Sequence, residues 1–287
     1  MINFFKFRFI YFGISAIVII SGLISMFTYG YRTSIDFSGG TIIEYQTGSQ
    51  TNMKILSDLL ETKKIKTISQ EQTGNKVSMR FAPLSVTDEK VVLEQVKKAS
   101  KSSVTVLRSE TVGATLGKET INKTLIAASV AILGILLYMT FAFKSFNFAV
   151  AAIVALAHDL LVMAGGYSII SHFYGAELNT LFVTALLTTM SFSVHDSIII
   201  FDKIREYRRS KVEDAQISAN RALTETLIRS VNNSMTIMFM LLALILFGGS
   251  TIRFFIIALL IGTVTGTYSS PFIATPVLVL LEKRKRK

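Results

Sequence analysis

Six stretches of this chain stay apolar for about 20 residues each, the length a helix needs to cross a hydrocarbon core about 30 Å thick. They fall at roughly 9–28, 122–142, 148–170, 180–201, 227–247 and 254–281. Runs that long and that poor in charge belong in a bilayer, and composition agrees, with 51% hydrophobic and 17% charged residues. The expected fold class is a polytopic α-helical membrane protein. The first run follows Lys6 and Arg8 as the core of a signal peptide would. It ends in "MFTYGY" without a small-x-small cleavage site, so it is expected to remain as a span. The last run contains Pro271 and Pro276 and is expected to kink or shorten there.

Basic residues orient the spans. With a cytoplasmic N-terminus, the inner side carries Lys6, Arg8, Lys144, seven Lys and Arg from Lys203 to Arg229, and five in "EKRKRK". Outside the long segment 30–123, the opposite side carries Arg253 alone. Fifteen against one is a strong positive-inside bias. It accounts for much of the net charge of +11, which reads as topology and contact with anionic lipid. No basic stripe with interleaved aromatics points to nucleic acid. The chain has no cysteine, which excludes disulfides, thiol chemistry and zinc–thiolate sites.

The chain divides into 1–29 (cytoplasmic N-terminus and first span), 30–120 and 121–287 (five further spans with a basic cytoplasmic tail). The middle segment is too polar to span and too long for an ordinary loop, so it is expected to be an external domain. "TIIEYQ" alternates as a strand, and "MKILSDLLETKK" has helical spacing through Met53, Leu56, Leu59 and Leu60. Strands "IKTISQEQ" and "NKVSMRF" flank a Thr73-Gly74 turn. "SVTDEKVVLEQVKKAS" begins with Ser85 and Asp88 at capping-box spacing, and "SVTVLRSE" closes as a strand. The order βαββαβ is the ferredoxin-like α+β arrangement, which by itself assigns no function.

Ionisable residues inside spans are the candidate functional groups, because charge is expensive in lipid. Asp196 lies seven residues before Lys203, about 10 Å inside the boundary at 1.5 Å per residue. Thr189, Ser193, Asp196 and Ser197 share one helical face. Arg229, Asn232, Asn233 and Thr236 form a similar stripe near the inner end of the fifth span. If the two spans adjoin, Asp196 and Arg229 meet as a pair that can separate and rejoin, a proton switch. A static buried ion pair is the other reading of the same residues. His158-Asp159 repeats the dipeptide of His195-Asp196 on the third span. Asp159 reads as a lock between helices or as part of an ion path, and His195 either tunes Asp196 or fills a polar seam. Adjacent helical residues point about 100° apart, so one dipeptide chelates poorly, although two on different spans could share a metal. No metal and no catalytic group is expected, and the chain does not read as an enzyme. His172 is expected in a solvated external loop.

Two further features are backbone devices. Gly262, Gly266 and Ser270 have the small-xxx-small spacing of close helix contacts, against the fourth span or a partner. Asp36-Phe37-Ser38-Gly39-Gly40 reads as a constrained turn, since no Lys-Ser/Thr follows as in a phosphate loop.

Several motifs in one order carry a resemblance covering nearly the whole chain: "DFSGGT", "TVGATLGKE" with Gly113, Gly117 and Glu119, "ALAHD", "SFSVHDSIIIFDKIRE", "LIRS", "LFGGSTIRFF" and "LLIGTVTGTYSS". They resemble the SecF family of accessory protein-export subunits. The resemblance implies a six-span half of an RND-type assembly whose other half is SecD, beside a SecY-type channel and the SecA motor in the bacterial inner membrane. It implies that proton motive force, or in some members sodium, helps draw preproteins out of the channel, with no cofactor beyond that coupling cation. Asp196 and Arg229 match the family's intramembrane aspartate and arginine implicated in cation coupling. The chain departs from the family pattern with Ser191, Phe192 and His195 in place of Gly, Tyr and Asn, and with Ala114 in place of Pro. An RND-like small-solute exporter would share the polar spans but should hold both halves or a larger porter domain. An intramembrane aspartyl protease would use Asp159 and Asp196 as a dyad, but neither lies in a Gly-x-Gly-Asp context.

Overall fold

The structure, a computed structural model, describes residues 3–210 and 214–285. A short 3-10 turn, Phe4–Phe7, leads into α1 (Arg8–Thr28), then β1 (Arg32–Thr33) and α2 (Ile35–Ser38). The segment after it runs β2 (Gly40–Thr47), α3 (Met53–Thr62), β3 (Thr67–Thr73), β4 (Lys76–Phe81), α4 (Val86–Ser100) and β5 (Val104–Val112). Long helices follow: α5 (Ala114–Phe143), α6 (Phe146–Tyr174), then β6 (Glu177–Leu178), α7 (Thr180–Ser210) and α8 (Ala215–Phe247). The chain ends with α9 (Arg253–Ser269), a π-helical turn (Ser270–Ala274) and α10 (Thr275–Lys285). Six helical segments among the described residues are long and apolar enough to span a membrane. Contacts divide the chain into two units, Met1–Arg32 with Ile126–Lys287, and Thr33–Leu125.

The smaller unit is the βαββαβ arrangement. Its sheet has the order β3-β4-β2-β5 with every neighbouring pair antiparallel. Period-2 alternation puts Ile43 and Tyr45 of β2, and Val77, Met79 and Phe81 of β4, on one buried face. The helices cover that face with i, i+4 pairs: Leu56 and Leu60 from α3, Val92 and Val96 from α4. Of the apolar positions expected on α3, Met53 and Leu59 are only partly buried and pack at the margin. Asn52 caps α3 by accepting from the Ile55 amide at 3.2 Å. Ser85 accepts from the Asp88 amide at 3.2 Å, and its own amide donates back to Asp88 at 3.4 Å, closing the box that the spacing announces. Burial, with the charge of Glu89 close by, pushes the Tyr45 phenol above its usual range.

The two glycine motifs of this unit meet. Gly39, at φ 71°, sits so close to α5 that a Cβ there would lie 2.8 Å from the Ala114 Cα. A Cβ on Gly117 would lie 2.8 Å from the Phe37 carbonyl oxygen. Glycine at both positions is therefore what lets the turn after α2 lie on the first turns of α5. Gly40 likewise faces the Phe81 carbonyl oxygen, and Asp36 lies in the first turn of α2, whose cap is Ser34. Glu119 only pairs with Lys123 on the surface at 2.7 Å, and nothing in the structure explains Gly113.

In the helical unit small residues set the closest approaches. Gly22 of α1 meets Gly165 of α6, where an added Cβ on Gly165 would come 2.5 Å from the Gly22 Cα. The stripe Gly262 and Gly266 of α9 packs on Thr189 and Ser193 of α7, so its partner is the fourth span. The sixth span does not end at its prolines. Pro271 lacks an amide hydrogen, and the helix passes it by widening into the π turn before continuing as α10. Helix α8 starts twelve residues before its apolar window, because Ser218, Ala219, Ala222, Leu223 and Thr226 give that polar stretch a buried face. His172 lies in the last turn of α6 rather than in a loop, exposed, with its ring stacked on Tyr29 at 3.9 Å.

Candidate functional site

The polar stripe of α7 faces inward throughout: Thr189, Ser193, Asp196 and Ser197 are all buried. Asp196, 1% exposed, accepts one hydrogen bond on Oδ2, from the Ser230 hydroxyl at 2.6 Å. Its Oδ1 has no hydrogen-bond partner among the described residues. Around it the polar groups are hydroxyls. Ser234 donates to the Ser230 carbonyl at 2.9 Å, and Thr267 of α9 donates to Ser234 at 2.7 Å. Ser197 meets Ser270 of the π turn at 2.9 Å, and Ser270 donates to the Ser193 carbonyl at 3.1 Å.

A second buried carboxylate is fully engaged. Asp159 of α6 accepts from Ser193 of α7 at 2.5 Å and from Ser269 of α9 at 2.7 Å, both on Oδ2. Its Oδ1 lies 2.9 Å from Nδ1 of His158. The other ring nitrogen lies 3.1 Å from the Ser15 hydroxyl of α1, which donates to the Tyr268 hydroxyl at 3.4 Å. Tyr268 in turn donates to the carbonyl of Tyr11 at 2.9 Å. A carbonyl only accepts, so the row has one consistent direction: imidazole to Ser15 to Tyr268 to Tyr11. That direction puts a hydrogen on Nε2, the ring nitrogen facing Ser15, and leaves Nδ1 against the Asp159 carboxyl group. Side chains of α1, α6, α7 and α9 are joined in this one network.

Two expectations about the site are corrected. Arg229, Asn232, Asn233 and Thr236 do not face Asp196; all four are exposed on α8, and no ion pair joins Arg229 to Asp196 among the described residues. Neighbours on a helix point about 100° apart, and it is Ser230, one residue along, whose face packs on α7. His195 is exposed on α7 and fills no polar seam inside this chain. Sequence reasoning missed Ser230, Ser234, Ser15, Tyr268 and Ser269. A signal existed for the first two: Ser218, Thr226, Ser230 and Ser234 recur at multiples of four residues, a hydroxyl stripe down the packed side of α8. Among the described residues, no group of three or more His, Asp or Glu side chains could hold a metal.

Residues 91–284 match the family model of the protein export membrane protein SecD/SecF, C-terminal. The chain is 38% identical to the protein translocase subunit SecF of Thermobaculum terrenum, over 99% of this chain and 95% of that one. It is 39% identical to the SecF subunit of Anaerolinea thermophila, over 98% and 94%. Among solved structures it resembles the crystal structure of SecDF, a translocon-associated membrane protein from Thermus thermophilus, with a TM-score of 0.84 and 32% identity. That likeness covers 99% of this chain and 39% of the other.

Proposed function

The chain belongs to the SecF family of protein translocase subunits, and on that premise we propose that it couples a proton gradient to the export of preproteins as one half of a pair with SecD. It is an accessory subunit of the translocase and not an enzyme. It works beside a SecY-type channel and the SecA motor, in the bacterial inner membrane, with both termini cytoplasmic and residues 30–120 outside. The coupling cation is H+.

The observation that carries the proposal is Asp196. A carboxylate buried with one donor and one bare oxygen can take up a proton on that oxygen without losing any existing bond. Release of the proton leaves an anion bonded to Ser230, whose neighbour in sequence is the cation Arg229. Exchange between a protonated state bonded to Ser230 and an ionised state drawn to Arg229 is the two-state element that the cation drives. One charge moving through 100 mV is worth about 2.3 kcal/mol, roughly a fiftyfold bias between two conformations.

The exposed polar stripe of α8 supports the pairing. Arg229, Asn232, Asn233 and Thr236 lie within a candidate span, and lipid is a poor neighbour for them. A second bundle of helices would cover them. The relative named SecDF is long enough to hold such a second half, since this chain spans 39% of it. Purification of the chain from native membranes should bring SecD with it, and export should slow when the chain is depleted and recover when it is restored. Export that runs at full rate without it would refute the proposal. Topology is checked separately: a reporter fused after Thr73 should be active only on the outer side, and cytoplasmic activity would reverse the orientation.

A further inference from the structure

At the end of the helical unit where α5 turns into α6, four basic side chains converge on one open cavity. It measures about 400 Å³ and is lined by Lys144, Arg205, Arg208 and Arg209, with Phe143 and Phe148 as its apolar wall. Two of the cations are held in place. Arg208 pairs with Glu282 at 2.6 Å, and Glu282 is itself held by Asn147 at 2.7 Å. Arg205 donates to Asp202 at 2.8 Å and to the Ala142 carbonyl at 2.7 Å, and its guanidinium lies 5.2 Å above the Phe143 ring. The other two, Lys144 and Arg209, are exposed and have no carboxylate partner among the described residues. Four cations against the two carboxylates that pair with them, Glu282 and Asp202, leave the charges of Lys144 and Arg209 uncompensated in a space that can hold a headgroup.

The geometry points to a binding site for the headgroup of an anionic phospholipid. Its place selects lipid over a free anion. Lys144 and Ser145 are the whole link between α5 and α6, so the cations stand where two spans emerge from hydrocarbon. Phe141 and Phe146 are 77% and 62% exposed on either side of that link and present apolar surface where acyl chains would descend. Lys144 and Arg209 would take the phosphate oxygens, while Arg205 and Arg208, already fixed by their partners, would form the floor. Basic pockets at span ends are the recurring form of such headgroup sites. The site is independent of the export reading and needs only that the helices cross a bilayer.

The test uses the full chain, delipidated in detergent, with native mass spectrometry counting bound lipid after addition of phosphatidylglycerol, phosphatidylcholine or inorganic phosphate. Phosphatidylglycerol should be retained, phosphatidylcholine should not, and millimolar phosphate should fail to displace the lipid. The double variant Lys144→Gln, Arg209→Gln should bind phosphatidylglycerol about thirtyfold more weakly, from a step of about fivefold for each charge lost at a membrane surface. The charge-keeping double variant Lys144→Arg, Arg209→Lys should bind as the parent does, which separates loss of charge from loss of fold. Equal retention of both lipids, or full retention by the glutamine variant, overturns the proposal. Displacement by phosphate alone would make this a free-anion site and overturn the lipid assignment.

Discussion

Asp196→Asn should leave the chain in the membrane at close to its usual abundance and abolish the dependence of export on proton motive force. Asparagine keeps an oxygen for the Ser230 hydroxyl and fills nearly the same volume, but it cannot exchange a proton. Its amide group replaces an oxygen that has no partner among the described residues, so the cost to folding is that of one imperfectly paired polar group, about 1–3 kcal/mol. The expected loss of coupling is far larger, since the full bias of roughly fiftyfold per charge per 100 mV disappears. Export of a secreted reporter, measured with and without a collapsed proton gradient and normalised to membrane abundance, decides it. Force-dependent export at the normal rate in the Asp196→Asn protein would sink the coupling role.

The position of Arg229 sharpens that experiment. Removing one member of a buried ion pair strands its partner and costs about 3–5 kcal/mol. Arg229 is exposed and Asp196 is bonded to Ser230 instead, so Arg229→Met should not destabilise this chain by itself. Its effect should appear in export and in assembly with the second half. The static-pair reading required the opposite: each single variant unstable, and the double variant restored.

The same helix shows where sequence reading succeeds and where it stops. Period alone places the spans and the inward stripe of α7, because Thr189, Ser193, Asp196 and Ser197 recur on one face of the helix, the face that is buried. The βαββαβ unit is equally legible, since its alternating strands, its Ser85 cap and its i, i+4 leucines each bury one face. Helix α8 has two polar faces about 100° apart, one with Arg229 and two asparagines, the other with serines and a threonine. A rule that sends the strongest polarity inward picks the first, and the structure uses the second. That rule assumes the interior of one chain is the only refuge from lipid. A chain that shares its membrane interior with a partner can place the charged face outward and fill its own interior with hydroxyls. Ser15, Tyr268 and Ser269 were invisible for another reason. Single hydroxyls are common in apolar helices, and only the crossing of α1, α6 and α9 shows that they converge on one His-Asp pair.

That convergence separates the two carboxylates, and the second prediction tests the separation. Asp159 is bonded to side chains from its own helix, from α7 and from α9, so it holds three spans in register. Asp159→Leu would leave the hydroxyls of Ser193 and Ser269 and the Nδ1 of His158 without their partner in a site 6–7% exposed. Each buried polar group left without its partner costs about 1–3 kcal/mol, together enough to lower the melting temperature in detergent and the abundance in membranes severalfold. Asp159→Asn keeps one oxygen for the two hydroxyls and should retain most of the stability. If Asp159 is a lock, that asparagine variant still exports in a force-dependent way, in contrast to Asp196→Asn. If instead Asp159 carries the proton, Asp159→Asn should stop coupled export while Asp159→Leu, provided it folds, behaves no worse. The geometry favours the lock: three partners already satisfy this carboxylate, and giving one up to pass a proton would loosen the contact between helices that Asp196 needs in order to act between two defined states.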